Sequence, residues 1–435
     1  MPLARGALST SGWKTAWKTC GAPWGQCCAI FHLVPPLRNA ERGSGGEVTL
    51  SASGEGVRSL GGSLRRSALV GGALVLAACS RASRPVVIGL AGPFSEQRGV
   101  AMLQAAQLAV AQINAKGGVR GRSLELRIAD DSGKEETAVR VAEQLHADPA
   151  VVAVVGHLSS SPTSAAAPIY GGGADPVVLV SPSASSPDLT GISPYFFRVC
   201  PSDLQQGPAL ARFAWQRLGA REAGIIYSNN AYGRGVRGSF AAEFARLGGT
   251  VVESDPTVAT TPSVEPYLSR MQRRGEGAID VLLVATERAA AELVLREMGA
   301  LGIRWPVIGG DALTGIEADG AAAEGIHLSS AYLPDRKDER NARFVADYAR
   351  AYHGQRPDHR GAGAFDIVFL LARAIQEAGP ERRAIREYLA QVGRGKPPFE
   401  GATGTVAFDA NGDVPGKEVV MGVVRDGLLI AETER

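Results

Sequence analysis

From residue 86 onward, short apolar runs alternate with helix-length amphipathic stretches, and the series occurs twice. The runs 86–90, 124–128, 151–155 and 177–180 are separated by the stretches 99–116, 135–146 and 162–170. In the first stretch Leu103, Ala106, Leu108 and Ile113 recur near helical spacing. After Pro201 the series restarts with runs 223–227, 251–253, 279–285 and 307–308 between helices 235–247 and 288–301 and a stretch 264–274. Strands alternating with helix-length stretches predict βαβ units and parallel sheets covered on both faces. The fold class is α/β, with two Rossmann-like lobes. A last section supplies a strand 326–331, helices 341–352, 365–377 and 384–392, and segments 404–409 and 418–425. These last two read as antiparallel strands around an Asn411-Gly412 turn. The section has too few parallel strands for a lobe of its own, so it is expected to complete the first. The division predicted is 79–202 plus 331–413 for lobe I and 203–330 plus 414–435 for lobe II, joined by a hinge that the chain crosses more than once.

The first 78 residues read as an address. Arg65-Arg66 is followed by twelve uncharged, mostly apolar residues and then Cys79. That layout is a secretion signal, and twelve residues are too few for a bilayer span, which needs about 20. The ending Leu76-Ala77-Ala78-Cys79 resembles a bacterial lipobox, whose cysteine is lipidated after cleavage. Residues 57–78 are therefore expected to be a lipoprotein signal peptide, with Cys79 as the membrane anchor of an exported periplasmic or cell-surface protein. Residues 1–56 carry Cys20, Cys27 and Cys28 without steady periodicity. They read as an over-extended start, with a genuine appendage as the alternative. Beyond the signal only Cys79 and Cys200 remain, so no internal disulfide framework is available. Cys200 follows an apolar run and is expected to be buried packing.

Charge removes one class of partner. Residues 1–78 hold eight Lys/Arg against three Glu, a net of +5, while the whole chain is at +2, which leaves −3 on the remainder. A mildly acidic globule with no basic block lacks a footprint for nucleic acid.

Catalytic patterns are sparse. Gly233-Arg234-Gly235-Val236-Arg237-Gly238 fits G-x-G-x-x-G, with Glu253 twenty residues past its first glycine. However, Ser228 to Tyr232 separate it from the preceding strand, and a dinucleotide fingerprint needs its tight turn directly there. The chain has no G-x-S-x-G, H-E-x-x-H or C-x-x-C, and its six His are scattered. His157 beside the serine loop is expected to fix that loop, and Asp130-Asp131 to cap or support rather than bind a metal. The chain is not expected to be an enzyme or to carry a cofactor.

Polar residues collect where strands end, the place at which open parallel sheets bind ligands because helices start there with unpaired N–H groups. In the first lobe these loops are Gly156-His157-Leu158-Ser159-Ser160-Ser161 and Ser181-Pro182-Ser183-Ala184-Ser185-Ser186-Pro187. Both are rich in hydroxyls and free of acids, which suits a carboxylate, although plain capping and turn chemistry use the same residues. In the second lobe the strand ends carry Asn229, Asn230 and Tyr232, Thr286-Glu287-Arg288, and Gly309-Gly310-Asp311. Donors on one lobe facing carboxylates on the other match a small zwitterion such as an amino acid.

Several motifs then recur in order: Ile113 to Gly121 (Ile-Asn-Ala-Lys-Gly-Gly-Val-Arg-Gly), Asp130-Asp131, the 156–161 loop, Ser181-Pro182 and Gln206-Gly207-Pro208. Together they resemble the branched-chain amino-acid-binding proteins of ABC importers, over nearly all of the chain after the signal. The resemblance implies a type I periplasmic-binding fold that closes on its ligand by hinge motion and delivers it to a permease and ATPase complex. It implies Ser160, Ser183 and Ser185 at the ligand carboxylate, Asp311 at the ammonium in place of the usual Glu, and Tyr232 in the cleft. The relatives' aromatic wall is replaced by Arg98 and Glu287, with Gln97 a further candidate, and Ser132 and Ser159 stand where relatives have a disulfide. A charge against an aliphatic side chain costs several kcal/mol. Arg98 and Glu287 are therefore expected either to pair with each other or to recognise a polar ligand group. A ligand-sensing or partner-activating lipoprotein on the same fold is the alternative reading.

Overall fold

The run Val-Val-Ile-Gly-Leu-Ala-Gly has no polar face. In the computed structural model, which describes residues 84–275 and 277–432, all seven of these residues are buried, forming β1 (Val86–Gly92). Chain order then gives α1 (Gln97–Ala115), β2 (Leu124–Asp130), α2 (Glu135–Ala147), β3 (Val151–Val155), α3 (Ser160–Tyr170), β4 (Val178–Ser181) and β5 (Phe196–Arg198). The five strands make one parallel sheet in the order β2-β1-β3-β4-β5. Its two faces are filled separately, one by Met102, Ala106 and Ile113 of α1, the other by Val141, Leu145 and Tyr170 of α2 and α3.

The second lobe opens with α4 (Asp203–Gln216), a helix that the apolar pattern does not reveal. Its start is set by a capping box, Ser202 accepting from the helix and Gln205 reaching back to the Ser202 N–H. There follow β6 (Glu222–Ser228), α5 (Ala231–Arg246), β7 (Thr250–Thr257), α6 (Glu265–Gln272), β8 (Val281–Ala285), α7 (Arg288–Ala300), β9 (Val307–Gly309) and β10 (His327–Ser330). The chain next supplies α8 (Glu339–Ala351), α9 (His359–Ala378), α10 (Arg382–Leu389) and the short pair β11 (Phe399–Gly401) and β12 (Gly404–Val406). It ends with β13 (Val420–Arg425) and β14 (Leu428–Ala431), which extend the second sheet to β14-β13-β10-β9-β8-β6-β7. Helix α9 belongs to the first lobe: Ile367, Leu371 and Ile375 share a core with α1, and a Cβ on Gly361 would lie 2.9 Å from the Ala101 carbonyl oxygen. The chain therefore passes between the sheets after β5, after β10 and between β12 and β13.

One expected pairing does not form. Segments 404–409 and 418–425 are not partners; β12 pairs with β11, and β13 with β10 and β14. The Asn411-Gly412 turn does exist, with Asp409 Oδ1 accepting from the N–H of Asn411 (2.8 Å) and Asp413 (3.0 Å). It docks on the first sheet, where the Gly412 carbonyl accepts from Arg198 N at 3.0 Å, and the strands on either side go to different lobes. Asp413 holds the turn there through the buried Arg198, at 2.7 Å.

Candidate functional site

The serine loops of the first lobe are braced from beneath. His157 Nδ1 and Asp131 Oδ2 lie 2.6 Å apart, both buried, and Asp131 Oδ1 accepts from Gly133 N at 2.8 Å. The His157 carbonyl accepts from Ser181 Oγ (2.7 Å), which ties the loop after β3 to the loop after β4. Asp130 likewise accepts from Ser95 N and Ser132 N. These residues support loops, and among the described residues no group of three or more His, Cys, Asp or Glu is placed to hold a metal. Ser160, at the first turn of α3, accepts from Ser186 N (3.1 Å), so both loops share one surface. Ser183 Oγ lies 3.3 Å from His359 Nε2, and Ser185 Oγ is buried with no hydrogen-bond partner.

Opposite them stands Asp311, directly after β9 and buried. Its Oδ2 accepts from Gln206 Nε2 at 3.2 Å. Ser329 Oγ donates to Gln206 Oε1 (2.9 Å), which turns the amide so that its NH₂ faces Asp311 and also the buried Asp203, whose Oδ1 lies 3.4 Å away. The Tyr232 hydroxyl accepts from Ala312 N at 3.2 Å. A Cβ on Gly310 would overlap that hydroxyl oxygen, which is why a glycine precedes the acid. Burial pushes Asp311 up to about 6, against the pull of the Arg360 guanidinium. Burial and the Asp311 charge together hold the Tyr232 phenol well above its ordinary value.

The two faces meet at the start of α9. His359 Nε2 lies 3.9 Å from Asp311 Oδ2 and its Nδ1 3.3 Å from Thr314 Oγ1. Burial, helped by Arg360, pushes His359 down to about 3, so the imidazole is neutral. Ser161 Oγ adds a further bridge, accepting from Ala231 N at 3.3 Å. Neither His359 nor Arg360 carried a signal in the sequence, because the stretch 359–364 is mostly small residues.

The charged candidates are each held within their own lobe. Arg98 Nε pairs with Glu96 Oε2 at 2.7 Å, and its Nη1 donates to Ser159 Oγ at 3.1 Å. Glu287 accepts from Ser228 Oγ (3.0 Å) and Asn230 Nδ2 (2.9 Å). The alternative in which Arg98 and Glu287 pair with each other is not the arrangement found. Gln97 begins α1 and is exposed. Cys79 lies outside the described residues. Cys200 is buried, its thiol pushed up by desolvation. Gly233 of the G-x-G-x-x-G stretch serves packing, since a Cβ there would overlap the Ser228 carbonyl oxygen.

With this geometry in place, the comparisons with known proteins are consistent. Residues 85–427 match a family model described as periplasmic binding protein. The Leucine-, isoleucine-, valine-, threonine-, and alanine-binding protein of Pseudomonas aeruginosa is 28% identical over 352 residues, 78% of this chain and 89% of the relative. Leu/Ile/Val-binding protein homolog 3 of Brucella melitensis is 27% identical over 336 residues, 76% and 87% of the two chains. Among solved structures, an ABC transporter substrate-binding protein from Desulfitobacterium hafniense in complex with Leu is 30% identical, with a TM-score of 0.69 over 80% of this chain and 100% of that one. The isoleucine complex of a branched-chain amino acid transporter substrate-binding protein from Streptococcus pneumoniae is 27% identical, with a TM-score of 0.71 over 80% and 99%.

Proposed function

The chain belongs to the periplasmic binding protein family, and on that footing we propose that it captures an amino acid or related small zwitterion between its lobes and hands it to the membrane permease and ATPase of an ABC importer. Its type is that of the branched-chain amino-acid substrate-binding proteins, whose relatives are solute binders and exported. One observation carries the reading: Asp311 of lobe II and Ser183 of lobe I converge on the same neutral imidazole, His359, at 3.9 and 3.3 Å. An acceptor for a cation and a first-lobe hydroxyl thus stand on either side of one imidazole nitrogen.

In this reading Ser160, Ser183 and Ser185, with the first N–H groups of α3, receive the ligand carboxylate, Asp311 receives the ammonium, and Tyr232 forms a wall of the cleft. Micromolar affinity corresponds to about −8 kcal/mol, and a helix-end contact supplies at most about 2. Both lobes must contribute, so binding and closure are coupled. Arg98 (paired with Glu96), Glu287 (which accepts only from neutral donors) and Gln97 are assigned to a polar ligand side chain. The name of the Pseudomonas relative includes threonine beside four apolar amino acids. Cys79 anchors the exported protein through lipid.

A thermal-shift screen over the proteinogenic amino acids, small carboxylates and amides tests the proposal, because a bound ligand raises the melting point by mass action. An upshift with polar amino acids is expected; leucine, isoleucine and valine binding far better than these would overturn the side-chain assignment. Cys79→Ser is expected to release the protein from membranes, and its retention there would remove the anchor.

A further inference from the structure

The first lobe has two ends, and only one of them carries the cleft. All five strands of its sheet run the same way, so the serine loops lie at their carboxyl ends and the strand starts form an opposite, basal end. The seven residues of β1 set about 20 Å between the two. Three parts of the chain meet at the basal end: the residues before β1, the turn 116–123 between α1 and β2, and the last turn of α9. Arg122 Nε donates to the Arg84 carbonyl (2.6 Å) and its Nη2 to the Pro85 carbonyl (3.0 Å). Arg120 N donates to Gln376 Oε1 at 2.7 Å.

These contacts gather cations that the sequence keeps apart. Arg84, Lys116 and Arg120 are exposed and Arg122 is half-buried. Among the described residues no acid pairs with any of the four, and Arg120 and Arg122 donate only to neutral oxygens. The nearest acids are already engaged. Glu377 is held by Arg373 (3.1 Å) and Lys396 (3.4 Å), Asp148 by Arg127 (2.7 Å) and Asp175 by the buried Arg382 (3.3 Å). Residue 84 with segments 116–122 and 373–396 carries ten Lys/Arg against three Glu, a net of +7. Residues 79–435 sum to −3, so everything else is at −10. The fold thus builds a basic end on an acidic protein.

We propose that this basal face of the first lobe docks on anionic phospholipid headgroups and turns the cleft end of that lobe away from the bilayer. The proposal rests on Cys79 as the lipid anchor and adds an orientation to it. Cys79 precedes Arg84 by five residues, which span at most about 18 Å when extended. A lipid on Cys79 therefore keeps the basal face beside the membrane. Uncountered cations held there are drawn to a negative surface, with an attraction that fades over a Debye length, about 8 Å at physiological salt. Four of them are too weak to hold the protein at that salt, so the lipid anchors and the cations orient. Ligand then reaches the serine loops from the side facing away from the membrane.

All described strands and helices lie within residues 86–431, so the mature chain, residues 79–435, carries the whole fold. It is tested with Cys79→Ser, so that no acyl chain contributes. Co-sedimentation at low salt with vesicles of equal parts phosphatidylglycerol and phosphatidylcholine is expected to bring it down, and raised salt to release it. Vesicles of phosphatidylcholine alone are expected not to bind. Binding to both kinds equally, or to neither, overturns the proposal, and this comparison holds even if a variant fails to fold. Lys116→Gln with Arg120→Gln is expected to lower partitioning about 30-fold, the loss of two cations at a charged surface. The same change at Arg234 and Arg237 of α5, in the second lobe, is expected to leave it within about twofold. Equal losses in the two variants overturn the assignment to this face. Fractionation of the full chain after a high-salt wash reads the anchor separately. Cys79→Ser retained in the membrane removes the anchor whatever the vesicles show, and failure with acidic vesicles removes the face while the anchor stands.

Discussion

The Arg360 guanidinium, on the first turn of α9, donates to the main-chain oxygens of Asp311 (3.4 Å) and Ala312 (3.2 Å), so a first-lobe helix grips the very turn that presents the second lobe's acid. Its charge also opposes the effect of burial on Asp311. Arg360→Ala is expected to loosen the closed arrangement and raise the Asp311 pKa. Affinity should fall about 10- to 100-fold, the range for hydrogen bonds to a charged group. The pH midpoint of binding should move above about 6. Calorimetry across pH measures both, and an unchanged midpoint would contradict the role given to Arg360.

Asp311 should make the ligand-free protein less stable as pH rises. Its folded value of about 6 lies above its ordinary 3.8, so between the two the folded state holds more protons than the unfolded state. Stability therefore falls across that window, and a cost of roughly 3 kcal/mol is fully present above it. Asp311→Asn is expected to raise the ligand-free melting temperature at pH 7 and flatten its pH dependence. Asp203, buried in the first turn of α4, acts in the same direction and is raised in part by the Asp311 charge, so the difference between wild type and variant reports Asp311 together with its effect on Asp203. A variant melting below wild type at pH 7 would contradict this.

Lys417, on the passage between β12 and β13, is buried, and its Nζ donates to Thr403 Oγ1 at 2.6 Å. Burial pushes it down to about 8, while the Asp366 carboxylate pulls the other way. Asp366 of α9 in turn accepts from Ala402 N (2.7 Å) and Thr403 N (2.8 Å), which fastens the β11–β12 turn to α9, and Lys417 ties the passage to that turn. Lys417→Met leaves that carboxylate without its counter-charge and is expected to destabilise by about 3–5 kcal/mol. Adding Asp366→Asn should recover part of the loss, as read by urea unfolding. A double variant no better than the single would sink the pairing.

Gly310 separates close packing from ligand contact. A methyl group there overlaps the Tyr232 hydroxyl. Gly310→Ala is expected to cost about 1–3 kcal/mol by overpacking and to weaken binding by displacing both Tyr232 and Asp311. Gly233→Ala, set against the Ser228 carbonyl, should cost similar stability, measured by thermal unfolding in parallel.

The alternation of apolar runs made the two sheets legible, because a strand such as β1 or β8, buried at every residue, leaves only apolar letters. Asp311 was legible as an acid at a strand exit after two glycines. Asp203 was not, since an acid in a first helical turn is ordinary capping chemistry; only the fold sets it beside Gln206 and Asp311. The Asn411-Gly412 turn was read correctly as a turn and wrongly as a hairpin, because turn chemistry is local and the choice of strand partner is not. His359 and Arg360 reach the cleft only because α9 packs on α1, a contact about 250 residues apart in sequence.

The central claim is that one small zwitterion is gripped by both lobes with Asp311 at its positive end. Its most direct test is calorimetric titration at pH 7.5 of wild type and Asp311→Ala with the amino acid giving the largest thermal shift. The account predicts micromolar or tighter binding to wild type and no measurable binding to a variant that still unfolds cooperatively. Equal affinity in the two proteins would contradict it.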